Sequence, residues 1–178
     1  TGTVNDSAAT ISVLVSGQTR AAMNNGDGTW TLADNQLTVL ADGTYDVQVT
    51  ATDIQGNAGT DNTTGELRID TVAPVVTVNT LTTADNRPQL TGTVNDITAT
   101  VSINVNALNF AATNNGNGTW TLADNAITPA LADNTYNVTA TATDTLGNSA
   151  TDGTTNELRV LTAAPVITLT SITTNDTT

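Results

Sequence analysis

Asn24-Asn25-Gly26-Asp27-Gly28-Thr29-Trp30-Thr31-Leu32-Ala33-Asp34-Asn35 returns almost letter for letter at residues 114–125, ninety positions on. Each copy holds one of the two tryptophans, and each has a Gly-rich turn running into alternating apolar and polar residues. An Asn-Gly pair before such alternation is a type I′ hairpin signal, because both central positions tolerate positive φ. A repeat this long makes the chain an array, and the period has to be settled before the fold.

Both flanks keep the period. Thr1-Gly2-Thr3-Val4-Asn5-Asp6 returns at residues 91–96. Gly43-Thr44-Tyr45, Ala51-Thr52-Asp53 and Gly56-Asn57 return as Asn134-Thr135-Tyr136, Ala142-Thr143-Asp144 and Gly147-Asn148, by which point the offset is 91. The extra residue lies between Asn125 and Leu131, beside Pro129. That placement predicts a loop, where an insertion costs little. The longer offset holds from Glu66-Leu67-Arg68 to Glu157-Leu158-Arg159 and from Ala73-Pro74 to Ala164-Pro165.

The alternation has period two throughout. Ile11, Val13 and Val15 are interleaved with Ser12 and Leu14; Tyr45, Val47, Val49 and Ala51 with Asp46, Gln48 and Thr50. These read as half-buried strands, and no segment carries a helical period. The second copy supplies a complete unit, with strands expected over residues 74–78, 89–94, 100–105, 109–113, 119–123, 136–143 and 157–161. About seven short strands per 90 residues, with turn signals every 8–12, is the pattern of an immunoglobulin-like β-sandwich. Tyr45 and Tyr136 stand where a tyrosine corner would tie loop to backbone. A lone tryptophan on an alternating strand reads as a core plug before a ligand platform. The fold class is therefore all-β, with tandem sandwich repeats of about 90 residues in an elongated array.

Composition narrows the function. The chain has no Cys, His or Lys and a net charge of −13. It lacks disulfides, thiolate metal sites and the usual general base or thiol nucleophile, so an enzyme is not expected. A nucleic-acid partner demands a basic footprint, and an anionic membrane surface would repel the chain. No apolar run is long enough for membrane insertion. Thr1 lies inside a strand-like motif rather than a signal peptide, which reads as an internal fragment. Asp and Asn far outnumber Glu, which points to turns and oxygen-rich loops.

Taken in order, Gly-Thr-Val-Asn-Asp, Asn-Gly-Asp-Gly-Thr-Trp, Leu-Ala-Asp-Gly-Thr-Tyr, Ala-Thr-Asp-x-x-Gly-Asn and Ile-Asp-Thr-x-Ala-Pro make the whole chain resemble the bacterial Ig-like repeats of large surface adhesins and biofilm-associated proteins. The resemblance implies export to the cell surface, a stalk of many repeats whose partners are neighbouring repeats of the same protein, and often Ca²⁺ at junctions between domains. The residues themselves allow such a site. Successive loops of a sandwich alternate between its ends, so Asn95-Asp96, Asn114 to Asn117 and Asp144 to Asn148 are expected at one end of the second repeat. With Asp70 in the linker, the carboxylates of Asp70, Asp96 and Asp144 and the amide of Asn148 would offer Ca²⁺ the oxygens it needs, and Asp6 and Asp53 are the equivalents in the first repeat. The alternative is that these Asp residues cap their own turns. Leu161 replaces Asp70 in the next linker, so that junction would lose a ligand.

The register sets the domain boundaries: residues 1–73 form a repeat lacking its first strand, 74–164 a complete repeat, and 165–178 the first strand of a following one. A missing strand at one end and an orphan strand at the other suggest head-to-tail self-association through 165–178 by strand donation. A stretch taken from a longer continuous filament would carry the same register. The expected function is a structural extender of an extracellular adhesin, rigidified by Ca²⁺. A filament subunit joined by strand donation and a carbohydrate-binding module are the alternatives, and the latter requires exposed rings at Trp30 or Trp120. A glycosidase would need a carboxylate pair in a cleft, which repeated turn positions fit poorly.

Overall fold

The computed structural model of the chain describes residues 1–61, 63–171, 173 and 175. Those of residues 165–178 that are not among them, 172, 174 and 176–178, lie outside the described residues. The chain divides into two units, Thr1–Thr71 and Val72–Thr178. Every regular element among the described residues is a strand.

The first unit contains β1 (Gly2–Thr3), β2 (Thr10–Val15), β3 (Gln18–Asn24), β4 (Thr29–Thr31), β5 (Gly43–Tyr45), β6 (Val47–Thr52), β7 (Ala58–Thr60) and β8 (Leu67–Ile69). They form a six-stranded sheet in the order β1-β4-β3-β2-β6-β7 and a two-stranded sheet of β5 and β8. The second unit contains β9 (Val76–Val78), β10 (Leu81–Thr83), β11 (Leu90–Val94), β12 (Thr100–Val105), β13 (Leu108–Asn114), β14 (Thr119–Leu122), β15 (Asn134–Tyr136), β16 (Val138–Thr143), β17 (Ser149–Thr151) and β18 (Leu158–Val160). Its sheets run β17-β16-β12-β13-β14-β11-β9 and β10-β18-β15.

Strand for strand, β11 to β18 repeat β1 to β8. Alternation explains why they form. Val101, Ile103 and Val105 on β12 and Val138, Ala140 and Ala142 on β16 are all buried, while Ser102 between two of them is exposed. Burying one face of each strand supplies the apolar driving force, roughly 25 cal/mol per Å² removed from water. Leu158, Val160, Ile127 and Trp120 complete the second core. In the first unit Val13, Val15 and Trp30 are buried, but Val47, Val49, Ala51 and Leu67 are only half-buried.

The second unit thus has more strands than the seven expected, for identifiable reasons. The run 136–143 is broken at Asn137, where the chain leaves one sheet, with β15 on β18, for the other, with β16 on β12. Asn137 Oδ1 accepts the Asn156 N–H at 2.9 Å at that break. Residues 74–83 likewise cross between sheets, with β9 antiparallel to β11 and β10 parallel to β18. The Ser-Ala-Thr strand β17 has too little apolar alternation to be seen in the sequence.

The two-residue turns between β2 and β3 and between β12 and β13 carry positive φ at both positions, Ser16 and Gly17 and Asn106 and Ala107, as a type I′ turn does. The Asn-Gly hairpins do not: positive φ falls on Gly26 and Gly28, and on Gly116 and Gly118, and not on Asn25 or Asn115. Side chains drive this geometry, because Asn24 Oδ1 accepts the Gly26 N–H and Asp27 Oδ1 the Thr29 N–H, leaving a four-residue loop between β3 and β4. The tyrosine corner is present in both units: Tyr45 Oη donates to the Ala41 carbonyl at 2.8 Å and Tyr136 Oη to that of Ala132 at 2.9 Å. The inserted residue falls in the loop between β14 and β15, which Arg87 staples by donating to the Ile127 and Asn125 carbonyls.

Candidate functional site

The polar residues that the sequence singles out lie in the loops after β11 and β16 and in the β13–β14 hairpin. Asp96 sits just beyond β11, and its Oδ1 accepts the Thr98 N–H and hydroxyl, both at 2.7 Å. Asn114 ends β13. Its Nδ2 donates to the carbonyls of Asp96 and Ala99, each at 2.9 Å, and its Oδ1 accepts the Gly116 N–H. One amide therefore ties the hairpin to the neighbouring loop. Asp144 closes the loop before β17: Oδ1 accepts the N–H groups of Leu146 and Asn148, and Oδ2 accepts Asn148 Nδ2 at 2.8 Å.

The charges respond to this arrangement. The Thr98 N–H, and after it the Thr98 hydroxyl, hold the Asp96 carboxyl below its ordinary range against partial burial and the like charge of Asp144. Asp144 is held low first by the Asn148 amide. Asp96, Asn114 and Asp144 are thus brought to one end of the second unit, with two like charges near enough to feel each other.

The first unit repeats the construction. Asp6 Oδ1 accepts the Ala8 N–H, and Asn24 Nδ2 donates to the carbonyls of Asp6 and Ala9 at 2.8 and 3.0 Å. Asp53 accepts from Gln55 N, Asn57 N and Asn57 Nδ2 as Asp144 does from its counterparts, and the Asn57 amide lowers its pKa. Asp70 follows β8 in the first unit, where Arg68 pairs with it at 2.7 Å.

A metal at this end would find two carboxylates, Asp96 and Asp144, already accepting hydrogen bonds. Among the described residues no three His, Cys, Asp or Glu side chains come together to hold an ion. Ca²⁺, which takes six to eight oxygens, would need carbonyl, amide and water oxygens to fill its shell.

Three side chains have roles that were not read from the sequence. Asn24 and Asn114 act as clamps on two carbonyls each, and the signal was the Asn preceding Asn-Gly in both copies. Glu157 is buried and its Oε2 accepts the Val138 N–H, a role nothing in Asn-Glu-Leu-Arg announces. Trp120 is fully buried and Trp30 is 8% exposed, so neither ring forms an exposed sugar platform. Among the described residues no helix is long and apolar enough to cross a membrane.

Residues 1–71 and 77–160 match the family model of the bacterial Ig-like domain. No curated protein matches the chain. Solved structures with a related course include a Ca²⁺-stabilised adhesin with which an Antarctic bacterium reaches out and binds ice, at 20% identity and a TM-score of 0.42 over 88% of this chain and 41% of that one. A 1.5-MDa bacterial ice-binding adhesin aligns at 20% identity and 0.43 over 85% and 53%. A Bacteroides ovatus glucan-utilisation protein in complex with a mixed-linkage heptasaccharide aligns at 16% and 0.29 over 84% and 37%. The chain thus spans between about two-fifths and one-half of the solved adhesin chains it matches.

Proposed function

From the premise that the chain belongs to the bacterial Ig-like domain family, we propose that it is an extender segment of a bacterial surface adhesin, acting outside the cell. The observation that carries this reading is duplication. Asp6 and Asp96, Asn24 and Asn114, Asp53 and Asp144, and Tyr45 and Tyr136 occupy matching places in the two units, each bonded to its own unit's backbone. A single active or binding site has no reason to occur twice with all its groups so engaged. A module that sets distance has every reason, because its stability is close to a sum of repeat and junction terms. No reaction is assigned to the chain.

Calcium is the finer part of the proposal. The paired charges of Asp96 and Asp144, with carbonyl oxygens beside them, favour a hard cation, and Asp6 and Asp53 offer the same groups in the first unit. Neutralising them would remove the like-charge repulsion between the loops that follow β11 and β16.

Small-angle scattering of the 178-residue chain in calcium and in chelator tests both parts. An elongated particle in both solutions, narrower in its distribution of lengths with calcium, is expected. A collapsed particle in both sinks the extender. An elongated particle indifferent to calcium, and to Asp96→Ala with Asp144→Ala, removes the metal and leaves an array held by packing.

A further inference from the structure

Three Asn-Gly pairs lie in the two tryptophan hairpins: Asn25-Gly26, Asn115-Gly116 and Asn117-Gly118. In such a pair the glycine nitrogen is free to attack the side-chain carbonyl of the asparagine before it, because no Cβ on the glycine stands in the way. The hydrogen bonds of the hairpins treat the three pairs differently.

Asn25 and Asn115 are held at both reacting groups. Asn25 Nδ2 donates to the hydroxyls of Thr29 and Thr31 at 2.8 and 3.2 Å, and Asn115 Nδ2 to those of Thr119 and Thr121 at 2.8 and 3.1 Å. Their nucleophiles are engaged as well, since Gly26 donates its N–H to Asn24 Oδ1 and Gly116 its own to Asn114 Oδ1, both at 3.1 Å. Attack in either pair requires these bonds to break.

Asn117 is arranged the other way. Its Oδ1 accepts the Thr119 N–H at 3.2 Å and the Thr119 hydroxyl at 2.7 Å. Among the described residues, neither its Nδ2 nor the Gly118 N–H meets an acceptor. The bond to the Thr119 N–H closes a ring that contains the peptide between Asn117 and Gly118, which keeps Cγ beside the Gly118 nitrogen. Both Thr119 donors draw charge from the side-chain carbonyl and remain on its oxygen as that becomes the oxyanion of addition. Asn117 is exposed, so water and hydroxide reach it. The first hairpin shows that a carboxylate fits this place: Asp27 Oδ1 accepts the Thr29 N–H and hydroxyl at 3.0 and 2.6 Å.

We infer that Asn117 is a site of spontaneous deamidation, a slow reaction of the chain with water that gives the second hairpin the charge of the first. Hydroxide takes the Gly118 amide proton and becomes water, the nitrogen adds to Cγ, and Nδ2 leaves as ammonia with a proton returned by water. The cyclic imide so formed is opened by a second water. Addition at Cγ breaks its bond to the Gly118 nitrogen and leaves an aspartate. Addition at the backbone carbonyl leaves an isoaspartate, with the chain running through the former side chain. Nothing is oxidised or reduced: amide and water become carboxylic acid and ammonia.

Ageing the 178-residue chain at mildly alkaline pH, with peptide mapping by tandem mass spectrometry, tests the inference. In the folded chain, deamidation at Asn117 is expected to run at least about tenfold faster than at Asn25 or Asn115, equivalent to roughly 1.4 kcal/mol in the barrier. In urea, where the hairpin bonds are gone, the three rates are expected to draw together. Thr119→Val keeps the branched shape and removes the hydroxyl that donates to Asn117 and accepts from Asn115, so it should slow the first site and quicken the second. Equal rates in the folded chain, a lead for Asn25 or Asn115, a lead for Asn117 that persists in urea, or one that Thr119→Val leaves unchanged would each overturn it.

Discussion

Glu157 Oε2 accepts the Val138 N–H at 2.9 Å inside the second core, while Glu157 Oε1 is buried with no hydrogen-bond partner among the described residues. Val138 is the first residue of β16, just past the break at which the chain changes sheets, so the carboxylate replaces a ladder partner. The first unit makes the same bond in the open, from Glu66 Oε2 to the Val47 N–H at 2.9 Å. Leaving a buried donor unpaired costs about 1–3 kcal/mol, whereas water replaces an exposed acceptor cheaply. Glu157→Ala is therefore expected to lose roughly that amount in urea titrations followed by tryptophan fluorescence, and Glu66→Ala clearly less. Equal losses would mean that burial does not set the cost.

The tyrosine corners give a second prediction. Tyr45→Phe and Tyr136→Phe keep the ring and remove one hydrogen bond, to Ala41 and Ala132 respectively. Each should lower stability by about 0.5–1.5 kcal/mol and leave the circular dichroism of the sheets intact. A loss of fold in either variant would assign the hydroxyl a larger role than a loop tie.

Acid should unfold the protein. Asp27, Asp53, Glu66, Asp96, Asp133 and Asp144 are all held low by hydrogen bonds, first from the Thr29 hydroxyl, the Asn57 amide, the Thr63 hydroxyl, the Thr98 N–H, the Thr162 hydroxyl and the Asn148 amide respectively. A carboxyl with a lower pKa folded than unfolded contributes stability that is present above the unfolded value, about 4, and disappears as pH falls through the folded one. Relief of the −13 charge on acidification works in the opposite direction, but at about 0.15 M salt it is screened beyond about 8 Å. The Tm at that ionic strength should be flat from about pH 8 to 5 and fall below about 4. Asn57→Ala with Asn148→Ala should flatten the acid limb, and an unchanged limb would count against these two loops.

Most of the fold was legible in the sequence because its causes are local. Alternation at Val101, Ile103 and Val105 marks a strand whatever it packs against, and the position of Tyr136 marks the corner. The causes that were missed are tertiary. The sheet change at Asn137 lies within an unbroken alternating run, and β17 is built of Ser149, Ala150 and Thr151, which carry no apolar signal. Turn-capping by Asp53 and Asp144 was readable as an alternative from the Asp-x-x-Gly-Asn spacing. The bonds from Asn24 to the carbonyls of Asp6 and Ala9, and from Asn114 to those of Asp96 and Ala99, depend on the stacking of the strands, which spacing along the chain does not encode.

Calcium removal gives a fourth prediction. A cation that binds only the folded chain raises stability by mass action, about 2.7 kcal/mol at a hundred times its Kd. For units of this size that is a rise in Tm of roughly 10 °C or more. Asp144→Ala and Asp96→Ala should each abolish most of the rise, and chelator should return the parent chain to the value of the variants. No rise would mean that the hydrogen bonds to Thr98, Leu146 and Asn148 are all that organises these loops.

The two glycines under the tryptophans should respond unequally to the same substitution. A Cβ on Gly92 would lie 1.9 Å from the Thr77 carbonyl oxygen and 2.5 Å from Trp120 Nε1, so backbone β9 or a fully buried indole must move. A Cβ on Gly2 would meet only the Trp30 ring, at 2.7 Å from Nε1, and that ring borders an open groove into which it can shift. Gly92→Ala should therefore cost about 3 kcal/mol or more, at or beyond the upper range for overpacking, and Gly2→Ala about 1 kcal/mol. Melting curves check this, with a fall in Tm of roughly 4–8 °C expected for Gly2→Ala and a larger one for Gly92→Ala. Equal falls would show that the open side of the Trp30 ring gives it no more room than the fully buried Trp120 has.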